Sequence, residues 1–221
     1  NWVNYLHHFL IIAFLYQMKR GEKRSSTNSA AASSKPSGTV RIISGRFRGR
    51  KLPVLNVQGL RPTTDKNREM LFSWLMPYTS DARCLDAFAG SGGLGFEALS
   101  RYGESCTFIE LNKNAAKKVA ENIQLLNLSA QQAQIIQGNT LDTLKNINKP
   151  YDLIFLDPPF NQNLLPKTIQ LIDQNVLLSI NGVIYIECEA QGVSYSVPEN
   201  WQLIKEKRSS QILARVYQRN S

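Results

Sequence analysis

Histidine is almost missing from this chain. Of 221 residues only His7 and His8 are histidines, adjacent and close to the N-terminus. Acid–base catalysis by a core histidine and a histidine-ligated zinc site are therefore excluded. Cysteine is scarce as well. Cys84, Cys106 and Cys188 stand far apart, each in a predicted strand and without metal-ligand spacing. They read as small core residues in a reducing compartment, which implies a cytoplasmic location and no metal. Long apolar runs are absent too. The longest, Phe9 to Tyr16, has eight residues, whereas a membrane-spanning helix needs about 20. A signal peptide carries its positive charge ahead of the apolar core, but Lys19, Arg20, Lys23 and Arg24 come after it. No membrane partner is expected. The chain does not begin with Met, and Met18 resembles a natural start, so residues 1–17 are read as an upstream extension outside the fold. A short membrane anchor is the alternative reading.

Acidic residues are missing from one end. Residues 1–72 hold 13 Lys and Arg against 3 Asp and Glu, a net of +10; residues 73–221 hold 13 against 14, a net of −1. The whole excess behind the formal charge of +9 thus precedes residue 73. A basic arm on a neutral domain suits a nucleic-acid partner, with a merely solvated tail as the plainer alternative. Residues 19–39, rich in Ser, Ala, Lys and Asn, read as a flexible tail, completing a disordered segment 1–39. Residues 40–76 read as a basic unit. Val40 to Ile43 is strand-like, Gly45 to Leu52 alternates as in a small β-ribbon, and a helix capped by Thr64 or Asp65 runs to about Met76. Its apolar stripe is Met70, Leu71, Trp74 and Leu75. Arg46, Arg48, Arg50, Arg61, Lys66 and Arg68 are the expected phosphate contacts.

What the chain does have is glycine in one place. Leu85 to Gly95 reads LDAFAGSGGLG, a short apolar run, then Asp86, then a glycine cluster opening a helix. Strand, glycine turn and helix form a nucleotide-type cofactor site. Glycine adopts positive φ and lets a ligand approach, and the helix N-terminus offers free N–H groups. Gly90-x-Gly92-x-x-Gly95 matches the dinucleotide fingerprint, so NAD is a rival, as is a tight turn with no ligand. Asp86 favours a ligand with a positive amine, such as the methionine part of S-adenosylmethionine, and would repel a pyrophosphate.

The remainder, 77–221, alternates regularly. Strands are expected at 83–86, 106–110, 133–137, 152–156 and 183–187, with helices at 93–101, 112–126, 140–146 and 164–175. Near-continuous apolar strands between amphipathic helices imply a parallel sheet covered on both faces. Trp201 to Lys207 and Gln211 to Gln218 read as an antiparallel hairpin closing it. The expected fold is α/β and Rossmann-like, a seven-stranded, mostly parallel sheet with a small N-terminal ribbon and helix.

In such a sheet the ligand lies outside the carboxyl ends of the strands. Asp86 and Glu110 end the first two, and Glu110 suits ribose hydroxyls. Asn139, after the third, either meets an adenine edge or caps a helix. Asp157-Pro158-Pro159-Phe160 follows the fourth. Two prolines fix φ twice and remove two donors, leaving rigid carbonyl acceptors. A carboxylate and a carbonyl can hold both hydrogens of an exocyclic amine while an aromatic stacks on the base. Two acceptors stabilise the positive charge that develops as such a nitrogen takes a methyl group. A rigid turn capped by Asp is the plainer alternative.

LDAFAGSGGLGFEALSR, FIELNKNA and DLIFLDPPF resemble class I methyltransferase motifs. RIISGRFRGRKLPV and GLRPTTDKNREMLFSWL narrow the resemblance to the RsmD family, over about residues 40–220. That resemblance implies S-adenosylmethionine as cofactor and methylation of the 2-amino group of a guanine in 16S ribosomal RNA, presented in an assembled or partly assembled small subunit. The implied cofactor set is Asp86, Phe88, Gly90, Ser91, Gly92, Gly95, Glu110, Leu111 and Asn139; Asp157 to Phe160 hold the guanine. A monomer is expected. The alternatives are an adenine amino-methyltransferase on DNA or RNA, an NAD-dependent oxidoreductase, and a non-catalytic RNA-binding module.

Overall fold

Alternating strands and helices build the protein in the computed structural model, which describes residues 38–55, 65–192 and 194–221. The expected tail and extension up to residue 37, and Arg61 and Thr64, lie outside the described residues. Two strands form a ribbon, β1 (Gly38–Arg41) and β2 (Lys51–Val54). Helices α1 (Asp65–Trp74) and α2 (Met76–Thr79) follow. Then come β3 (Arg83–Asp86), α3 (Gly93–Ser100), β4 (Ser105–Glu110), α4 (Lys113–Leu125), β5 (Ala133–Gln137), α5 (Thr140–Leu144), β6 (Tyr151–Leu156) and α6 (Leu165–Gln174). The chain closes with β7 (Leu178–Glu189), β8 (Trp201–Arg208) and β9 (Ile212–Arg219).

The main sheet has seven strands in the order β5-β4-β3-β6-β7-β9-β8. The first five run parallel, and β9 and β8 are antiparallel additions. Residues of each central strand divide between two cores because side chains alternate across a strand. Cys84, Leu153 and Phe155 enter a core with Leu71, Phe72, Phe96 and Phe108 on one face. Leu85, Ile154 and Leu156 enter a second core with Ile169, Ile172 and Ile186 on the other. The α/β sheet covered on both faces is thus as expected. Cys84 and Cys106 lie opposite each other in register and are buried free thiols. Burial pushes both thiols well above their ordinary titration range.

Boundaries differ from the sequence reading: the first strand is Gly38–Arg41 rather than 40–43, the first helix ends at Trp74 rather than about Met76, and two further differences have a clear backbone cause. The arginine-rich stretch Ser44 to Gly49 is the turn of the ribbon, not its strand, since Gly45 and Gly49 both adopt φ of 82°. β7 begins five residues earlier than Val183. Asn181 takes φ of 63° and the pairing with β6 jumps from Tyr151↔Leu178 to Leu153↔Val183, so a bulge interrupts its apolar run.

Glu97 joins the ribbon to the sheet domain. It sits on α3 with 1% exposure and accepts from the backbone N–H groups of Ile43 (2.8 Å) and Ser44 (3.0 Å) and from Arg101 Nε (2.8 Å). A buried carboxylate is tolerated only when its oxygens are satisfied, and here three donors share the two of them. Glu97→Ala should destabilise the protein by about 3–5 kcal/mol, because a guanidinium and two backbone donors lose their acceptor together. Urea unfolding of the variant should show that loss; a change below about 1 kcal/mol would mean water replaces the carboxylate freely.

Candidate active site

Because β3, β4, β6 and β7 are parallel, their carboxyl ends open on one edge of the sheet. Asp86 ends β3, Glu110 ends β4 and Asp157 follows β6. Asp86 pairs with Phe155 in register, so the glycine turn and the Asp157 loop leave neighbouring strands side by side. The spacing of motifs along the chain becomes, through the register, one cluster of carboxylates.

The glycine turn is held by these acids. Gly90 and Gly92 adopt φ of 52° and 76°, conformations that cost a residue with a Cβ about 1 kcal/mol or more. The Gly90 N–H donates to Glu110 Oε2 at 2.8 Å, and the Asn112 N–H donates to Oε1 at 2.6 Å. A carboxylate has about four lone-pair sites, so Glu110 keeps capacity for ligand hydroxyls. Asp86, 3% exposed, accepts from the Gly95 N–H at 3.1 Å. Burial raises its pKa to about 7, partly offset by that bond and reinforced by the charge of Glu110. Asp86 is therefore first a clamp on the turn. At Gly95 a Cβ would meet the Phe108 ring at 2.3 Å and Cys106 Sγ at 2.7 Å, so the missing side chain faces β4 and lets the helix pack on the strand. Phe88 packs half-buried against the second core and Ser91 is half-buried beside Gly93, while Leu111 stands 63% exposed next to Glu110. Asn139 occupies the N-cap of α5, its side-chain oxygen accepting from Leu141 N (2.9 Å) and Asp142 N (3.4 Å). The helix-cap alternative thus describes its oxygen.

The loop after β6 has Pro158 buried, Pro159 exposed, and Asp157 and Phe160 half-buried. Asn161 and Asn163 take positive φ, and the Asn161 N–H donates to Glu189 at 2.5 Å, tying the loop to the end of β7. Asp157 is pushed well up toward its protonated form. Burial is the main cause, followed by the negative charges of Glu187 and Asp86. Glu187 follows the Leu156↔Ile186 pair and so lies beside Asp157 on the neighbouring strand; it accepts from the Tyr185 hydroxyl. Neither Glu187 nor Tyr185 was anticipated. The available signal was an acid ending the apolar run Val183 to Ile186 at the depth of the other strand-end carboxylates. Among the described residues no three acids, cysteines or histidines converge on a metal geometry.

The expected phosphate contacts separate into three groups. Arg68 is a correction: it is 3% exposed and donates to the Arg41 carbonyl (2.6 Å) and to Asp65 (2.7 Å). Burial even lowers its pKa from the usual guanidinium value, against the pull of Asp65 and Glu97. Arg46, Arg48 and Arg50 are exposed but stand at the opposite end of the sheet. Arg46 Nε donates to the Leu99 carbonyl (3.1 Å) and Arg50 to the Leu125 carbonyl (2.9 Å), at the C-termini of α3 and α4. There they satisfy orphan carbonyls and meet the negative ends of the helix dipoles. Lys66 alone of the described set lies exposed at the N-terminal, site-side end of α1.

Replacing Glu187 by Gln removes the second of the causes that hold the Asp157 proton. The Asp157 titration, followed by carboxyl-carbon NMR, should move to lower pH in Glu187→Gln. An unmoved midpoint would leave burial and Asp86 as the whole cause.

Comparison with known proteins places this geometry. The family model described as conserved hypothetical protein 95 matches residues 40–218. The ribosomal RNA small subunit methyltransferase D of Haemophilus influenzae is 51% identical over 183 residues, 82% of this chain and 94% of that protein. Its counterpart in Escherichia coli K12 is 45% identical over 185 residues, 84% and 92% of the two chains. A solved putative methyltransferase from Escherichia coli superposes with a TM-score of 0.77 at 43% identity, covering 83% of this chain and 99% of that one. A putative methylase from Haemophilus influenzae gives 0.73 at 46% identity, with 83% and 100% covered. With the strand-end acids, glycine turn and sheet order all in place, the chain belongs to the conserved hypothetical protein 95 family, that of the ribosomal RNA small subunit methyltransferases D.

Proposed function

We propose that this protein transfers a methyl group from S-adenosylmethionine to the exocyclic 2-amino group of a guanine in 16S ribosomal RNA, within an assembled or partly assembled small subunit in the cytoplasm. The observation that carries the reading is the placement of Asp157-Pro158-Pro159-Phe160 directly after β6, the neighbour of the strand that feeds the glycine turn. An amine acceptor and a cofactor cradle then share one edge.

The residues present fit the cofactor. Gly90 and Gly92 leave the turn without side chains at positive φ. Glu110 ends β4 with acceptor capacity for two ribose hydroxyls, and the exposed Leu111 offers an apolar face where an adenine ring would lie. Ser91 and Phe88 flank the turn. An ammonium and a sulfonium bound here favour the ionised forms of Asp86, Asp157 and Glu187, whereas the pyrophosphate of NAD would oppose their ionisation. S-adenosylmethionine supplies an electrophilic methyl on a sulfonium. The chain's own work is to position and to hold charge. The Asp157 carboxylate and the Pro158 carbonyl accept the two amine hydrogens, Phe160 stacks on the base, and Asp157 stabilises the cationic nitrogen as it forms. Glu187 beside it offers a second carboxylate to take up the released proton.

Two substitutions test these roles. Glu110→Ala should weaken S-adenosylmethionine binding by about 1.5–3 kcal/mol, read by calorimetry on the folded variant; unchanged affinity would remove Glu110 from the site. Asp157→Asn replaces one acceptor oxygen by a donor that meets the amine head-on. Single-turnover methylation of small subunits should slow by about two to three orders of magnitude with cofactor affinity nearly constant. Transfer at the wild-type rate would end the assignment of Asp157.

A further inference from the structure

A site that takes a base of an RNA must also hold the polyanion that carries the base. The carboxyl groups of this edge offer phosphates no attraction, so the backbone needs cationic partners at the rim. The ribbon arginines cannot supply it from the other end of the sheet, and Arg68 is buried. The described rim does hold cations elsewhere, on the closing hairpin.

The register fixes where that hairpin points. β9 begins opposite the end of β7, with Glu189↔Ile212, and β8 ends there, with Arg208↔Leu213. Its turn, 209–211, therefore projects at the carboxyl edge of the sheet. The Ala190 N–H donates to the Gln211 carbonyl at 2.9 Å and Arg208 donates to the Ala190 carbonyl at 2.6 Å. Glu189, one residue earlier, holds the loop that carries Asp157. Hairpin tip and amine-holding loop are thus fastened to adjacent residues, Ala190 and Glu189.

Lys205 and Lys207 pair with Val216 and Ala214 and so share one face of the hairpin. Both are exposed, as is Arg208, and none of the three enters an ion pair among the described residues. Lys207 Nζ lies 3.0 Å from Met70 Sδ on α1. Met70 and Lys66 are four residues apart, one turn on the same helix face. Lys205, Lys207 and Arg208 therefore form a basic strip along one side of the acidic edge, with Lys66 one helical turn from the Met70 contact and the exposed acids Asp65 and Glu69 on the same helix.

We infer that this rim, centred on Lys205 and Lys207, binds the phosphate backbone of the RNA substrate while the target base enters the acidic site. The inference rests on the methyltransferase reading above and deepens it by locating the footprint. Lysines on an edge strand have another use, since they block strand-to-strand aggregation. Charge reversal separates the two uses, because Glu on an edge blocks aggregation as well as Lys does but repels phosphate.

The test compares full-length wild type, Lys205→Glu/Lys207→Glu and Arg48→Glu. Arg208 is left in place because it holds Ala190. Binding to a fluorescently labelled 16S-derived RNA is measured by anisotropy across a salt series, together with cofactor affinity and methyl transfer to small subunits. The hairpin variant should bind RNA at least tenfold more weakly. Its slope of log affinity against log salt should be shallower by about one to two units, and its cofactor affinity should be that of wild type. If the charge-reversed chain is poorly folded, Lys205→Gln/Lys207→Gln should show the same direction with a smaller change. RNA affinity and slope matching wild type would overturn the inference, as would a loss confined to Arg48→Glu. Weakened RNA binding in the hairpin variant alongside a wild type that methylates no small subunit would uphold the surface and refute the proposed reaction.

Discussion

The approach of α3 to β4 at Gly95 is the contact on which the site depends. A side chain there would overlap the Phe108 ring and the Cys106 sulfur, so any larger residue must push the helix away from the sheet. With glycine, the helix lies close enough for its Gly95 N–H to reach the Asp86 carboxylate. That bond fixes the first turn of the helix over the end of β3. It in turn sets Gly90 against Glu110. Two carboxylates on adjacent strands thereby shape a turn that has few side chains of its own with which to hold itself.

Concentrating acids at one edge has an energetic cost, and the protein bears it in its protonation equilibria. Asp86 is raised to about 7, and Asp157 is pushed well up by burial and by Glu187. A carboxyl whose folded pKa lies above its unfolded one favours folding most at low pH, and that contribution is lost as pH rises through the folded pKa. For Asp86 the loss falls between about 4 and 7. A cationic ligand reverses the balance by stabilising the ionised forms. Carboxyls perturbed in this way cluster at functional sites.

The ribbon and the hairpin divide the basic residues by end. The ribbon arginines close helix C-termini and Glu97 receives the ribbon backbone, so that unit acts as a brace on the two helices beside it. The hairpin, added antiparallel at the open side of the sheet, brings its cations to the edge where the parallel strands end.

The linear order of residues determined much of this protein by itself. Apolar strands alternating with amphipathic helices specify a covered parallel sheet, because buried backbone leaves few other arrangements. Asp86, Glu110 and Asp157 were legible because strand ends can be counted along the chain. Charge and spacing did not determine which direction a side chain faces or which end of the sheet a loop reaches. Arg68 reads as a phosphate ligand until its helix buries it against Arg41 and Asp65. The packing reason for Gly95 appears only when β4 is seen to occupy the space of its missing Cβ. Glu187 becomes a neighbour of Asp157 only through the pairing of β6 with β7, 30 residues apart in the chain. Those decisions belong to the tertiary structure, since burial, register and desolvation arise only when distant segments pack together.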